Sequence, residues 1–346
     1  MLEKLIGIVK SQRASDLHVS VGRTPYIRVE GDLIPLLTEP VVTQDDILKM
    51  LVIMAGEERT RYMLEQNEID FAYAAQGLRF RGSSYIRSGH VAFTLRALES
   101  IRTLEELNLP DILKDFTRME QGFFLLVGPV GQGKSTTLAA MLDLINQERK
   151  EHIVTIENPI EYIFEEKNSI VDQREIGLDS QSFSHALKAI FRQDVNVIMV
   201  GEMRTPETIA TAVTAAETGH LVFSTLHTNN ASQTIDRIID SFPAEQQNQI
   251  RNQVSNSLLG IFSQRLLPSL KGGRVPAYEL LINNNAVSNL IREGRTHEID
   301  SIIDTHKAEG MISMNHSLLE LVRAGHVTIE DAKRYTLDPE GLERLI

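Results

Sequence analysis

The sequence predicts a two-domain α/β protein, a small α+β unit followed by a larger unit built on a parallel sheet. Three observations carry this. The chain has 346 residues, and single domains hold about 150. From about residue 120, the apolar runs FFLLVG, IVTIE, VIMVG and LVFSTL alternate with helical patterns at 134–147, 182–192 and 205–218. Continuously apolar strands separated by helices are the mark of a parallel sheet covered on both faces. Ahead of residue 98 the apolar residues instead alternate with polar ones, as in antiparallel strands with one wet face.

In order along the chain, DLHVS (16–20) alternates with period two, and PYIRV and LIPLL flank a Glu30-Gly31-Asp32 turn. Residues 43–67 read as two helices meeting near Gly56, and IDFAYAA and LRFRGSSYIRSGHVAFTLRAL as further antiparallel strands. Residues 1–97 form the first expected domain, 98–110 a linker, and 111–346 the second. Thr205-Pro206 is a helix start, a capping hydroxyl followed by proline in the first turn. Phe183, Leu187, Ile190 and Phe191 form a helical stripe expected in the core, and the chain after about residue 243 reads as helical with one strand candidate at 275–282.

Composition narrows the function. The 47 acids and 35 bases give a net charge of −12, which disfavours a chain that grips nucleic acid through a basic surface. There is no Cys, so disulfides and thiolate metal sites are excluded. No run approaches the roughly 20 apolar residues that span a bilayer. Lys10 and Arg13 interrupt what would be the core of a signal peptide. Trp is absent and aromatics are only 5%, thin for base-stacking surfaces. The expectation is a cytoplasmic protein.

The strongest motif is Gly128-Pro129-Val130-Gly131-Gln132-Gly133-Lys134-Ser135, followed by Thr136. It is a GxxxxGK[ST] phosphate loop set between an apolar strand and a helix, the context the motif needs. Its backbone N–H groups and helix N-terminus suit phosphate oxygens. Lys134 would reach the β- and γ-phosphates, and the Ser135 hydroxyl would bind Mg²⁺. In VIMVGEMR (197–204), Glu202 follows an apolar strand where such folds present a carboxylate to Mg²⁺ and water. In VTIENPIEYIF (154–164), Glu157 and Glu161 bracket Asn158-Pro159 at another strand end, where open α/β sheets bind ligands and a carboxylate polarises an attacking water. His220 and His227 stand at opposite ends of one strand in GHLVFSTLHT. They are too far apart to share a metal ion, but a histidine beside a phosphate reports its occupancy. Residues 71–98 hold Arg79, Arg81, Arg87 and Arg96 with no acid and no Lys. Arginine is the base whose fork matches phosphate oxygens.

With these residues assembled, the chain resembles the secretion ATPase superfamily of GspE, PilT and VirB types, and within it the PilT-like type IV pilus retraction ATPases. SDLHVSVGRTPYIRVEGDL resembles the family's PAS-like N-terminal domain, and GPVGQGKSTT its Walker A loop. TIENPIE resembles the Asp box, VGEMR with TAAETGH the atypical Walker B region, GHLVFSTLHT the His box, and AVSNLIREG (286–294) a C-terminal signature. The resemblance implies a RecA-like ATPase core with ATP as substrate and Mg²⁺ as cofactor. It implies a homo-hexamer with nucleotide between the two domains of each chain, completed by Arg79, Arg81 and Arg96. Glu161 ranks ahead of Glu157 as the water-polarising carboxylate. Glu202 takes the Mg²⁺ and γ-phosphate region, and His227 and His220 become γ-phosphate sensors. Implied partners are a PilC-like platform protein at the cytoplasmic face of the inner membrane and a PilU-like paralogue. An accessory PilU-like subunit with weak activity, or a related secretion or assembly ATPase, is the alternative. Zero Cys argues against the assembly type, which carries a four-Cys metal site. The chain departs from the family pattern at Asn158, at Val195-Asn196, at Gly89 and at Gln132. Gln132 is expected to be neutral because the loop binds through its backbone.

Overall fold

A computed structural model describes residues 1–29, 31–98 and 100–345, and every count below is of those residues. Glu30 of the expected turn, Glu99 of the expected linker and Ile346 lie outside them. The chain divides into two compact units, Met1–Ser100 with Pro159–Ile163, and Ile101–Asn158 with Phe164–Ile346.

The first unit comprises α1 (Leu2–Gln12), β1 (Asp16–Ser20), β2 (Tyr26–Val29), β3 (Asp32–Pro35), α2 (Gln44–Ala55), α3 (Glu57–Gln66), β4 (Glu68–Ala75), β5 (Leu78–Arg87) and β6 (His90–Leu98). Its antiparallel sheet runs β3-β2-β1-β6-β5-β4. α2 starts in a reciprocal cap: Asp46 N–H donates to Thr43 Oγ1 (3.2 Å) and Thr43 N–H to Asp46 Oδ2 (3.0 Å). Leu2, Leu5, Ile6 and Val9 of α1 join Ile47, Met50 and Leu51 of α2 over Leu17, Phe71, Phe80, Phe93 and Leu95 of the sheet. α1 keeps helical apolar spacing at 2, 5, 6 and 9, all four buried.

The second unit opens with α4 (Leu113–Thr117), β7 (Gly122–Val127), α5 (Lys134–Glu148), β8 (His152–Glu157), β9 (Ile170–Glu175), α6 (Phe183–Ile190) and β10 (Val197–Val200). It continues through α7 (Pro206–Glu217), β11 (Leu221–Leu226), α8 (Ala231–Asp240), α9 (Ala244–Ser257), β12 (Leu258–Pro268), β13 (Arg274–Ile282) and α10 (Asn285–Glu293). It closes with α11 (Ile299–Thr305), α12 (Met314–Arg323), α13 (Ile329–Tyr335) and α14 (Pro339–Leu345).

The sheet order is β13-β12-β7-β11-β10-β8-β9. All neighbours are parallel except β12 and β13. Strand side chains alternate between faces, so Phe123, Leu125 and Val127 enter a core with α6 to α10, while Phe124 and Leu126 enter a second with α4 and α5. This is the two-faced parallel sheet expected from the apolar runs. Two stretches differ: residues 258–268, read as helical, form β12, and Ile170–Glu175, given no element by the sequence, form β9.

Candidate active site at the phosphate loop

All six residues of β7 are buried, so the strand delivers the following loop to the sheet edge on a rigid base. Gly128, Gly131 and Gly133 have φ of 140°, 77° and 80°, values that glycine adopts without steric cost. α5 begins at Lys134, which turns the N-terminal amides of a 15-residue helix toward the loop. Lys134 is buried, and its Nζ donates to Gly128 O (2.6 Å), to Pro129 O (2.8 Å) and to His227 Nδ1 (3.3 Å). The ammonium thus lies folded over its own loop. Ser135 is exposed in the first turn of α5, next to the half-buried Thr136.

His227 follows β11, whose end pairs with the end of β7 at Leu226 and Val127. Burial and the Lys134 ammonium push its imidazole below the ordinary 6.5, with Glu202 opposing and Arg204 adding to the effect. An ammonium only donates, so Nδ1 accepts and the neutral ring carries its proton on Nε2. His220 stands at the other end of the strand. Seven residue steps at about 3.3 Å each separate the two by roughly 23 Å. His220 Nδ1 meets Ala215 O at 3.0 Å, and its ring lies edge-on to Phe191, 5.6 Å away. The fold does not bring His220 to the phosphate loop of its own chain. Phe191, expected in the core stripe, is instead 42% exposed.

The strand-end carboxylates are held differently from one another. Glu157 is buried at the end of β8, its Oε1 accepting from Thr155 Oγ1 (2.8 Å) and Gln173 Nε2 (3.2 Å). Gly201 N–H donates to Ile156 O (2.8 Å), and a Cβ on Gly201 would come within 3.2 Å of that oxygen. The β8 and β10 ends are therefore knit together. Glu202 follows directly and pairs with Arg204 at 2.9 Å. Sequence reading missed Arg204, although opposite charges two residues apart in extended chain share a side. Asn196 sits at the far end of β10, its Oδ1 accepting from His152 N–H (2.9 Å). Among the described residues no group of three or more His, Asp or Glu is placed to hold a metal ion. The donors present, the Ser135 hydroxyl and the Glu202 carboxylate, are the hard oxygens that suit Mg²⁺ completed by waters and substrate phosphates.

Glu161 belongs by contacts to the first unit. There its Oε1 lies 3.8 Å from Arg81 Nη1, and both side chains are partly exposed. Arg81 and Arg96 are directly opposite across β5 and β6, and Asp16 stands opposite Arg96 across β1 and β6. Like charges in register repel. Asp16, itself buried, accepts from Arg96 Nε (2.8 Å) and lies 3.8 Å from Arg28 Nε. Burial pushes the Asp16 carboxyl up, but hydrogen bonds from Arg96 and Ser15 prevail and hold it below the usual carboxylate range. Arg79 lies on the same face of β5, its Nε buried without a hydrogen-bond partner among the described residues. The structure thus assembles Lys134, His227 and Glu202 in one unit, and Arg81, Arg96 and Glu161 in the other.

The family model described as "Type II/IV secretion system protein" matches residues 1–334. The chain belongs to that family. It is 40% identical over 342 residues to the type IV pilus retraction ATPase PilT of Pseudomonas aeruginosa, covering 98% of this chain and 99% of the relative. It is equally 40% identical to the type IV pilus ATPase PilU of the same organism, over 99% and 91% of the two chains. Among solved structures, the pilus retraction motor PilT with bound ADP superposes with a TM-score of 0.93 at 44% identity, covering 99% of each chain. The RecA-like core with a smaller N-terminal α+β unit is therefore the fold of this family member.

Proposed function

We propose that this secretion-family chain is a Mg²⁺-dependent ATPase that assembles as a homo-hexamer and powers type IV pilus retraction, and with it twitching motility. It works in the cytoplasm, against a platform protein at the inner-membrane face. The observation that carries the reading is the buried Lys134 ammonium held between phosphate-loop carbonyls and His227 Nδ1, at distances of 2.6 to 3.3 Å. In this reading the backbone amides from Gly128 to Thr136 cradle the phosphates, and Lys134 moves from the Gly128 and Pro129 carbonyls onto phosphate oxygens. Bound Mg²⁺ would neutralise charge on the β- and γ-oxygens, with Ser135 and Glu202 as the residues to hold it. Glu161, or Glu157 in second place, takes the proton of the attacking water. Neutral His227 directs its Nε2–H toward a γ-phosphate oxygen and so registers its departure. Arg79, Arg81 and Arg96 supply positive charge to the developing phosphate negativity, and rigid-body movement follows release.

The test is phosphate release by the purified protein in Mg²⁺ with and without chelator. Lys134→Ala, Glu161→Ala and Glu157→Gln are compared with wild type. Lys134→Ala is expected to abolish turnover, and loss of the true base to cost at least about 10²-fold. Undiminished turnover in Lys134→Ala overturns the site. The equal identity to PilU supports a second reading, an accessory subunit whose hydrolysis needs a partner ATPase. Hydrolysis by the protein alone decides against it.

A further inference from the structure

β12 and the phosphate loop are joined by side-chain hydrogen bonds that nucleotide chemistry does not require. β7 ends at Val127 opposite Ser263, so beyond that point β12 has no neighbouring strand on the β7 side. Leu266 N–H meets the Gln132 side chain there, donating to Oε1 at 2.6 Å. The amide of Gln132 replaces the strand that β7 would have continued. One turn of pleat earlier, the buried Gln264 uses both ends of its own amide. Its Oε1 accepts from Thr137 Oγ1 (2.7 Å) and its Nε2 donates to Gln132 O (2.9 Å). Arg274 at the start of β13 adds a longer contact, 3.4 Å, to Gly131 O.

The glycines fit the same picture. A Cβ on Gly128 would stand 2.4 Å from Gln264 O, and one on Gly133 2.9 Å from Gln264 Nε2, whereas one on Gly131 would meet open space. Two of the three loop glycines are thus packed on Gln264.

We propose that β12 is a clasp that holds the phosphate loop in its anion-binding shape, with Gln132 and Gln264 as positioning residues for nucleotide. The proposal rests on the nucleotide reading above and concerns how tightly that site binds. An unbuttressed glycine-rich loop samples many conformations. Fixing it in advance removes that ordering cost from binding. The loop grips ground state and transition state alike, so loosening it falls on KM rather than on kcat.

The experiment compares full-length wild type with Gln132→Met, Thr137→Val and the double variant. Methionine keeps the length of Gln132 without its acceptor, and valine keeps the shape of Thr137 without its donor, so both variants leave the buried Gln264 unsubstituted. Measured are the Kd for Mg·ADP by calorimetry, KM and kcat for ATP, and Tm without nucleotide. One lost hydrogen bond corresponds to about a fivefold weaker Kd, and KM is expected to rise in step. Both changes loosen the same loop, so the double variant is weaker by less than the product of the singles. Kd and KM within twofold of wild type in both single variants, or a lowered Tm with unchanged Kd, overturns the clasp while leaving a hydrolysing wild type intact. A wild type that binds no ADP takes down the nucleotide reading and the clasp together.

Discussion

Burial and the Lys134 ammonium 3.3 Å away set the charge of His227. Both lower its proton affinity, so at neutral pH the ring accepts on Nδ1 and donates from Nε2. A folded value below the ordinary 6.5 means that the ring charges only as pH drops under that figure. Protonation then removes the acceptor for Lys134 and sets two cations side by side. We expect kcat/KM for ATP, which reports the free enzyme, to hold through neutrality and fall on an acid limb below pH 6.5. His227→Gln keeps a neutral donor and acceptor. It is expected to lower the rate about tenfold and to flatten that limb. An acid limb unchanged in His227→Gln assigns it to another group. Gln132 teaches the converse lesson at this scale. Its place in the loop motif makes its side chain look idle, because the motif is about backbone amides, yet the side chain completes β12.

At the scale of elements, β13 carries Glu279, whose Oε1 accepts from Ala231 N–H (2.8 Å) at the start of α8. Burial pushes its carboxyl up to about 7, with the Ala231 N–H opposing, Asp300 and Asp304 adding and Arg265 opposing. A carboxyl raised on folding binds its proton more tightly folded than unfolded. Its stabilising contribution is therefore full below the ordinary 4.5 and lost as pH rises toward 7. Glu279→Gln keeps the acceptor for Ala231 and removes the titration. Thermal melts of the variant relative to wild type should gain steadily between about pH 4.5 and 7 and stay level outside that window. A constant offset at every pH sinks the assignment. The strands β7, β8, β10 and β11 were legible because burial on both faces leaves apolar runs that only a covered parallel sheet explains. β12 was not. Leu258, Ile261, Phe262 and Leu266 recur at helical intervals, and a strand buried on both sides has no alternation to contradict that period. β9 was missed for the opposite reason. It is a polar edge strand, IVDQRE, paired among the described residues only with β8. Of the site, the loop, Glu202 and His227 could be read from strand-end positions. Gln264 could not, because a buried glutamine 132 residues from Gln132 in sequence leaves no local mark.

Over the whole molecule the charge is partitioned. Residues 1–97 hold 12 bases and 12 acids, so the entire −12 falls beyond them. The neutral part contains the arginines in register on β5 and β6, and the acidic part holds the phosphate loop. In the reading proposed above, Lys134 and the other loop residues attract phosphates against that background, which fits a small polyanion better than a nucleic acid spread over a surface. If the chain is a retraction motor, removing it leaves filament assembly running with nothing to reverse it. Deletion in the source organism is expected to give cells with more and longer pili that no longer twitch, and Lys134→Ala at the native locus should reproduce the deletion. An assembly ATPase predicts the reverse, bald cells, because polymerisation itself would stop. An accessory subunit predicts pili in normal number with reduced pulling, and activity that appears only when a partner ATPase is present. Surface pilus counts together with colony spreading separate these outcomes. Bald cells, or full twitching in the Lys134→Ala strain, would end the retraction reading while leaving the phosphate-loop chemistry to be judged by hydrolysis alone.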